Sequence, residues 1–358
     1  MAVTALLASA CGLPSTGHTP SGARTTPNVT SIPTPTVTPC TPSNRCVALV
    51  TLRGSTQYVV RDITDIHHPI SLTTFTAPSP PLMAGAAAVS YVRGPTLLRM
   101  SWPGRPETVA EPSRGLYFNA YAWSPDGATV AYVSPFNSGG QLWLYSAGQS
   151  RIIAPIANLS PTHSCPYASC ADQADIRLLF SPDGQSISFV QNYGGPSLYT
   201  WTLAGKLLQT DASESDMMSV WSGSALYYRD DAGVERWQAG VKSLVLPGVA
   251  WIRPRAPLTG GQIVYEVRDS AGAAYVRILD TSSGNTREIA KSRSEPAFLG
   301  SHLIWYKGER TCVPSDPPPC GGNVKTTETG KTYLYDLQDG SETESLITRV
   351  LDVWPHPA

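Results

Sequence analysis

At 358 residues the chain is long enough for one large all-β domain or two ordinary ones. Only 15% of the residues are charged and the formal net charge is −1. With no sustained Lys/Arg run, the attraction that nucleic-acid binding needs is missing, and no apolar run is long enough to span a bilayer as a helix.

Residues 1–10 are small and apolar and lead into Cys11-Gly12. The stretch resembles the end of a bacterial lipoprotein signal peptide, which implies acylation of Cys11 as the first residue of the mature chain. That family favours Leu three residues before the Cys. Here Ala8 stands there, with Leu7 one further back, and the first Arg is Arg24, so the true start is expected upstream. Residues 11–45 are rich in Pro, Thr and Ser, most densely over Pro33–Pro39. Such a segment cannot bury enough apolar surface to offset chain entropy and is expected to be a disordered stalk. In polyproline form, at ~3.1 Å per residue, it would reach on the order of 90 Å.

The seven cysteines divide into Cys11 and three close pairs, Cys40 with Cys46, Cys165 with Cys170 and Cys312 with Cys320. One lipid-bearing residue and three local disulfides fit an oxidising compartment. Zinc is the competing reading, but the spacings are wider than in paired C-x2–4-C sites and no His-x3–5-His run accompanies them. Each bridge would close a short loop, contribute about 2–3 kcal/mol and pin a local excursion.

Residues 46–358 read as one domain of short strands. Its first segments, Val47–Leu52, Gln57–Asp62 and Pro69–Phe75, look like the second, third and fourth strands of a unit that lacks its first. Complete four-strand units then follow over 82–110, 116–156, 176–210, 219–246, 248–290 and 297–348. The end supplies the missing first strand, Val350–Trp354. Joined, the two ends make one composite blade and close a ring, which protects sheet edges. Seven blades give about 45 residues each, at the top of the usual range; six or eight blades stay open.

Two of these units begin almost identically, at Ala122–Tyr132 and Leu179–Phe189. Each is an apolar strand, a Pro-Asp-Gly turn and an alternating strand. The motifs Trp-Ser-Pro-Asp-Gly at 123–127 and Phe-Ser-Pro-Asp-Gly at 180–184 resemble the repeat of TolB-type β-propellers. Such propellers occur in bacterial periplasmic proteins and in the propeller domains of some peptidases. The resemblance covers about residues 116–210 well and implies an all-β propeller working outside the cytoplasm. TolB itself pairs six blades with an amino-terminal domain. A stalk occupies that place here, which argues against an equivalent role in a Tol system.

Asp126 and Asp183 suggest catalysis, but a tight hairpin needs all three residues of its Pro-Asp-Gly turn, so both are read as structural. Trp123 and Phe180, just before these turns, are read as inter-blade packing. His67 and His68 form the one adjacent pair of histidines, and neighbours on a strand point apart. No G-x-S-x-G elbow, H-E-x-x-H, Walker loop or dinucleotide fingerprint occurs. No catalytic residue, metal or cofactor is therefore assigned.

Loop lengths carry more. In a propeller the second-to-third and fourth-to-first connections share a face, and most long excursions fall there: 135–140, 157–175, 192–196, 211–218 and 308–331. Long loops between strands are uncommon unless they bind something. That face is the expected recognition surface, with His163, Tyr167, Tyr193 and Arg310 as candidate contacts; neutral drift of loop length is the competing account. The expected function is a monomeric, non-catalytic binding or scaffold propeller, tethered to the envelope by lipid alone and recognising a protein, peptide or glycan. A hydrolase or lyase with its site in the central funnel is the alternative.

Overall fold

The repeated hairpin owes its shape to its turn. In the computed structural model Ser124 N–H donates to Thr129 O and Gly127 N–H to Ser124 O, both at 2.8 Å. The Asp126 carboxylate accepts from the Ser124 hydroxyl at 2.5 Å and from Ala128 N–H at 3.0 Å. The second copy repeats this, with Asp183 accepting from the Ser181 hydroxyl at 2.6 Å and Gln185 N–H at 2.9 Å. Gly127 and Gly184 take φ of 69° and 67°, a left-handed conformation that a Cβ would strain. Both aspartates are thus committed to their turns. The serine is a fourth required member, since its hydroxyl also accepts the N–H of Thr129 or Ser186 at 2.9 Å.

The structure describes residues 45–354, apart from 52–55, 66, 112–119, 137–138, 157–175, 192–196, 213–218, 231, 249–250, 259–260, 271, 300–301, 313–325 and 348. Every described regular element is a β-strand. The chain opens with β1 (Val47–Thr51), β2 (Gln57–Asp62) and β3 (Ile70–Thr76). Blade 2 follows as β4 (Leu82–Gly85), β5 (Ala88–Arg93), β6 (Thr96–Ser101) and β7 (Pro106–Ala110). Blade 3 is β8 (Tyr121–Trp123), β9 (Thr129–Phe136), β10 (Gly139–Ser146) and β11 (Gln149–Ile156). Blade 4 is β12 (Ile176–Phe180), β13 (Ser186–Gln191), β14 (Ser197–Thr202) and β15 (Leu207–Ala212). Blade 5 is β16 (Ser219–Ser222), β17 (Ala225–Asp230), β18 (Gly233–Gln238) and β19 (Val241–Pro247). Blade 6 is β20 (Trp251–Leu258), β21 (Gln262–Arg268), β22 (Ala274–Asp280) and β23 (Thr286–Lys291). Blade 7 is β24 (Arg293–Leu299), β25 (Leu303–Thr311), β26 (Thr326–Asp336) and β27 (Glu342–Glu344).

The last strand, β28 (Val350–Trp354), pairs antiparallel with β1, Val47 opposite Trp354, so blade 1 reads β28-β1-β2-β3. The wheel therefore has seven four-stranded blades and closes through its ends, as the strand pattern predicts. Packing closes it as well. Seven apolar clusters fill the seven seams, and each draws buried side chains from two neighbouring blades. At the closing seam, Ala297 and Trp305 of blade 7 pack with Ala48, Val350 and Val353 of blade 1.

Two seams carry the same polar bond. Trp123 Nε1 donates to Ser90 Oγ of the preceding blade at 2.7 Å, and Trp221 Nε1 to Ser188 Oγ at 3.0 Å. Each serine lies 33 residues before its tryptophan. Each in turn aims its hydroxyl at the innermost strand of its own blade, at Leu82 O or Leu179 O. Trp123 is thus an inter-blade residue, as expected, and Phe180 packs in the seam of blades 3 and 4.

Because strand direction alternates, turns after first and third strands lie on one face, and connections after second and fourth strands on the other. The Val47–Trp354 pair stands where blade 1 would have its first turn, on the tight-turn face. Two expected excursions on the opposite face shorten. Over 135–140 the ladder continues, with Phe136 opposite Gly139 and Pro135 opposite Gly140. Over 308–331, β25 runs on to Thr311 and β26 already begins at Thr326. In both places pairing satisfies backbone groups that a loop would leave to water. Cys46 and Cys312 are each disulfide-bonded. Cys11, Cys40, Cys165, Cys170 and Cys320 lie outside the described residues, so the three pairings stay expectations.

Candidate functional site

An aromatic column runs round the wheel on the second strands: Tyr91, Tyr132, Phe189, Tyr228, Tyr265 and Tyr306, all buried. The next position outward on the strand, nearer the long-loop face, divides the blades. Blades 2 and 3 carry Val92 and Val133 there, whereas blades 5, 6 and 7 carry Arg229, Glu266 and Lys307. Charged side chains in three consecutive seams are costly unless paired, so their partners define the polar centre of this side of the wheel.

Glu266 is 2% exposed and uses both carboxylate oxygens. Oε1 meets Arg268 Nη2 at 2.8 Å, and Oε2 accepts the N–H of Glu295, on blade 7, at 2.9 Å. Glu295 has a φ of 51° and precedes Pro296 at a bulge where the β24–β25 register shifts. This non-glycine residue sits in the left-handed region, a conformation that surrounding contacts must hold in place. Two of those contacts are the Glu266 carboxylate on its N–H and Lys307 Nζ, 3.1 Å from its own carboxylate.

Arg268 joins the two blades a second time. Nη2 and Nη1 donate to Oε1 and Oε2 of Glu309 at 2.8 and 3.1 Å, a bidentate fork. Nη1 also reaches Thr326 Oγ1 at 3.3 Å and Gly272 O at 3.2 Å. Burial would lower the guanidinium pKa, but the hydrogen bond with Glu309 and the attraction of Glu266 and Glu309 outweigh it, and it is raised. Lys307 completes the group by meeting Glu328 at 2.8 Å. The arrangement orients backbone and holds charge; none of these contacts positions a proton donor against a nucleophile.

Arg310 is exposed and lies on β25 immediately beyond this cluster, opposite Thr327. His163, Tyr167 and Tyr193 lie outside the described residues. His67 and His68 stand on an exposed turn of blade 1, where His68 Nδ1 lies 3.0 Å from Asp65 Oδ2 and holds that carboxyl below its ordinary range. Among the described residues no three His, Cys, Asp or Glu side chains come together as a metal site.

Sequence reasoning missed Glu266, Arg268, Lys307 and Glu309. The signal that finds Glu266 and Lys307 is the switch from Val to charge one place after the aromatic column; Arg268 and Glu309 stand two places further along the same strands.

No protein-family model and no curated protein matches the chain. Solved structures do. An oligogalacturonate lyase in complex with manganese is 10% identical with a TM-score of 0.51, covering 84% of this chain and 83% of its own. The tricorn protease is 11% identical with a TM-score of 0.50, over 88% of this chain but only 36% of the protease. TolB from Acinetobacter baumannii is 16% identical with a TM-score of 0.43, over 87% of this chain and 82% of TolB. Across such distances likeness extends to the fold. Taken with its seven closed blades, the chain is an all-β, seven-bladed β-propeller, and its two Ser-Pro-Asp-Gly turns resemble the TolB-type repeat.

Proposed function

We propose that the protein is a non-catalytic binding propeller of the cell envelope. It is anchored through Cys11 and a stalk over residues 11–45, and it recognises a protein, peptide or glycan with its long-loop face. The observation that carries this reading is the charge network of blades 6 and 7. It commits the Arg268 guanidinium, shared between the buried Glu266 and Glu309, to holding the strand pair that carries the exposed Arg310 on that face. The expected disulfides Cys165–Cys170 and Cys312–Cys320 would brace two loops of the same face.

Removing residues 309–330 takes away the projecting strands and leaves all seven seam clusters intact. The variant should melt within a few degrees of the parent and lose whatever the parent retains specifically from a solubilised envelope extract, read by mass spectrometry. Equal retention by both proteins would sink the reading. Acylation is read separately: a palmitate analogue should label the parent and not Cys11→Ser.

A further inference from the structure

Strands β25 and β26 are 9 and 11 residues long, against 3 to 8 in every other strand. Their ladder is continuous from Leu303 opposite Asp336 to Lys307 opposite Thr332. It then breaks and resumes with Glu309 opposite Glu328, Arg310 opposite Thr327 and Thr311 opposite Thr326. The break falls at a glycine on both sides. Gly308 occupies it on β25, and Gly330, with φ 78°, on β26. At Gly308 a Cβ would come within 2.6 Å of Thr329 Oγ1 and 2.8 Å of Tyr333 Cε2, so those side chains would have to shift to admit one.

Beyond this level the two strands leave the blade. On one side β24 pairs with β25 only as far as Gly308, and on the other β27 pairs with β26 only from Tyr333 to Tyr335. Among the described residues, the outer ladder of 309–311 and 326–328 pairs with no third strand. One backbone bond, Glu309 N–H to Ser292 O at 2.9 Å, ties its base. What reaches it from the neighbouring blade is Arg268, which grips Glu309 through both carboxylate oxygens and touches Thr326 on the other strand. Arg268 is itself held by Glu266, and it remains 34% exposed against 9% for Glu309.

We infer that residues 309–311 and 326–328 form a hinged arm latched to blade 6 by Arg268. The paired glycine break is the hinge, and the Arg268–Glu309 fork is the catch. A pair of strands can swing only if both can bend at one level, and among the described residues this ladder is where a register break on one strand meets a left-handed glycine on the other. The catch joins two blades across 41 residues of sequence, so releasing it cuts the arm's tie to blade 6 without unpairing any blade, and leaves Lys307–Glu328 and Glu309 N–H to Ser292 O at its base. The inference deepens the binding role proposed above by naming the element that would open or close over a ligand. It stands on contacts within this chain, and its test needs no partner.

Hydrogen exchange resolved by mass spectrometry on the full chain reads the arm directly. In Arg268→Ala the amides of 309–311 and 326–328 should exchange on the order of tenfold faster, as expected when a bidentate charge-assisted bond is lost. Exchange over Leu303–Tyr306 and Tyr333–Tyr335 should be unchanged. Arg268→Lys, which keeps the charge but not the fork, should fall between. Glu342→Gln removes the Arg293 partner elsewhere in blade 7 and should leave the arm protected. Unchanged arm exchange in Arg268→Ala overturns the latch. Equal loosening of arm and blade overturns the hinge, leaving an ordinary inter-blade tie. Loss of partner capture without altered exchange would count against the arm and not against the binding role.

Discussion

Single carboxylates in this wheel act mainly on backbone. Asp280 shows it best. Its Oδ1 accepts the N–H groups of Ser282 and Ser283 and the Ser282 hydroxyl at 2.6 to 3.0 Å. Those bonds, the Ser282 hydroxyl first, hold its pKa down to about 2. A folded value below the unfolded one of ~3.9 means stabilisation that is complete above about pH 4 and fades as pH falls toward 2. Asp280→Asn should therefore melt below the parent at pH 6, with the gap closing by pH 2. A gap that is constant with pH would show that the charge has no part. Asp126 and Asp183 were legible as turn residues because everything they touch lies within a few positions in the chain. Arg268 and Glu309 were not, since 41 residues separate them and only the closed ring places their strands side by side.

Between blades, the element that matters is the pairing of a first strand with the second strand before it. Trp123 and Trp221 each bury an indole N–H against one serine hydroxyl. Changing Ser90 or Ser188 to Ala strands that donor away from water, at a cost of about 1–3 kcal/mol each. The two serines lie in different seams, between blades 2 and 3 and between blades 4 and 5, so the double variant should lose the sum of the two in urea unfolding. A double variant no weaker than either single one would mean that the seams share load round the ring. Strand order was readable from period-two alternation, yet these bonds were not. Ser90 and Ser188 look like any small residue until the next blade supplies the indole.

The molecule as a whole depends on its shared blade. Val350, Leu351 and Val353 are buried on β28 and serve two seams. Asp352 on the same strand accepts the N–H of Met83 in blade 2 at 2.9 Å. At about 1.5–3 kcal/mol for each buried Val or Leu, removing the strand costs a large part of the ~5–15 kcal/mol that holds a domain together. A chain ending at residue 349 should therefore yield no monomeric folded species by size exclusion and near-ultraviolet circular dichroism. A compact monomer with the parent melting curve would show that the ring does not need its clasp. Closure was visible in advance because two incomplete units at opposite ends of the sequence complement each other, whereas six or eight blades stayed open until the strand pairing gave seven.

That clasp also has a direction. Val47 and Trp354 face each other on the tight-turn side of blade 1, so the wheel is entered and left from a single corner. On the anchoring proposed above, a pull along the chain upstream of Cys46 would bear on that corner, while the strands that carry Arg310 end on the opposite face of the wheel.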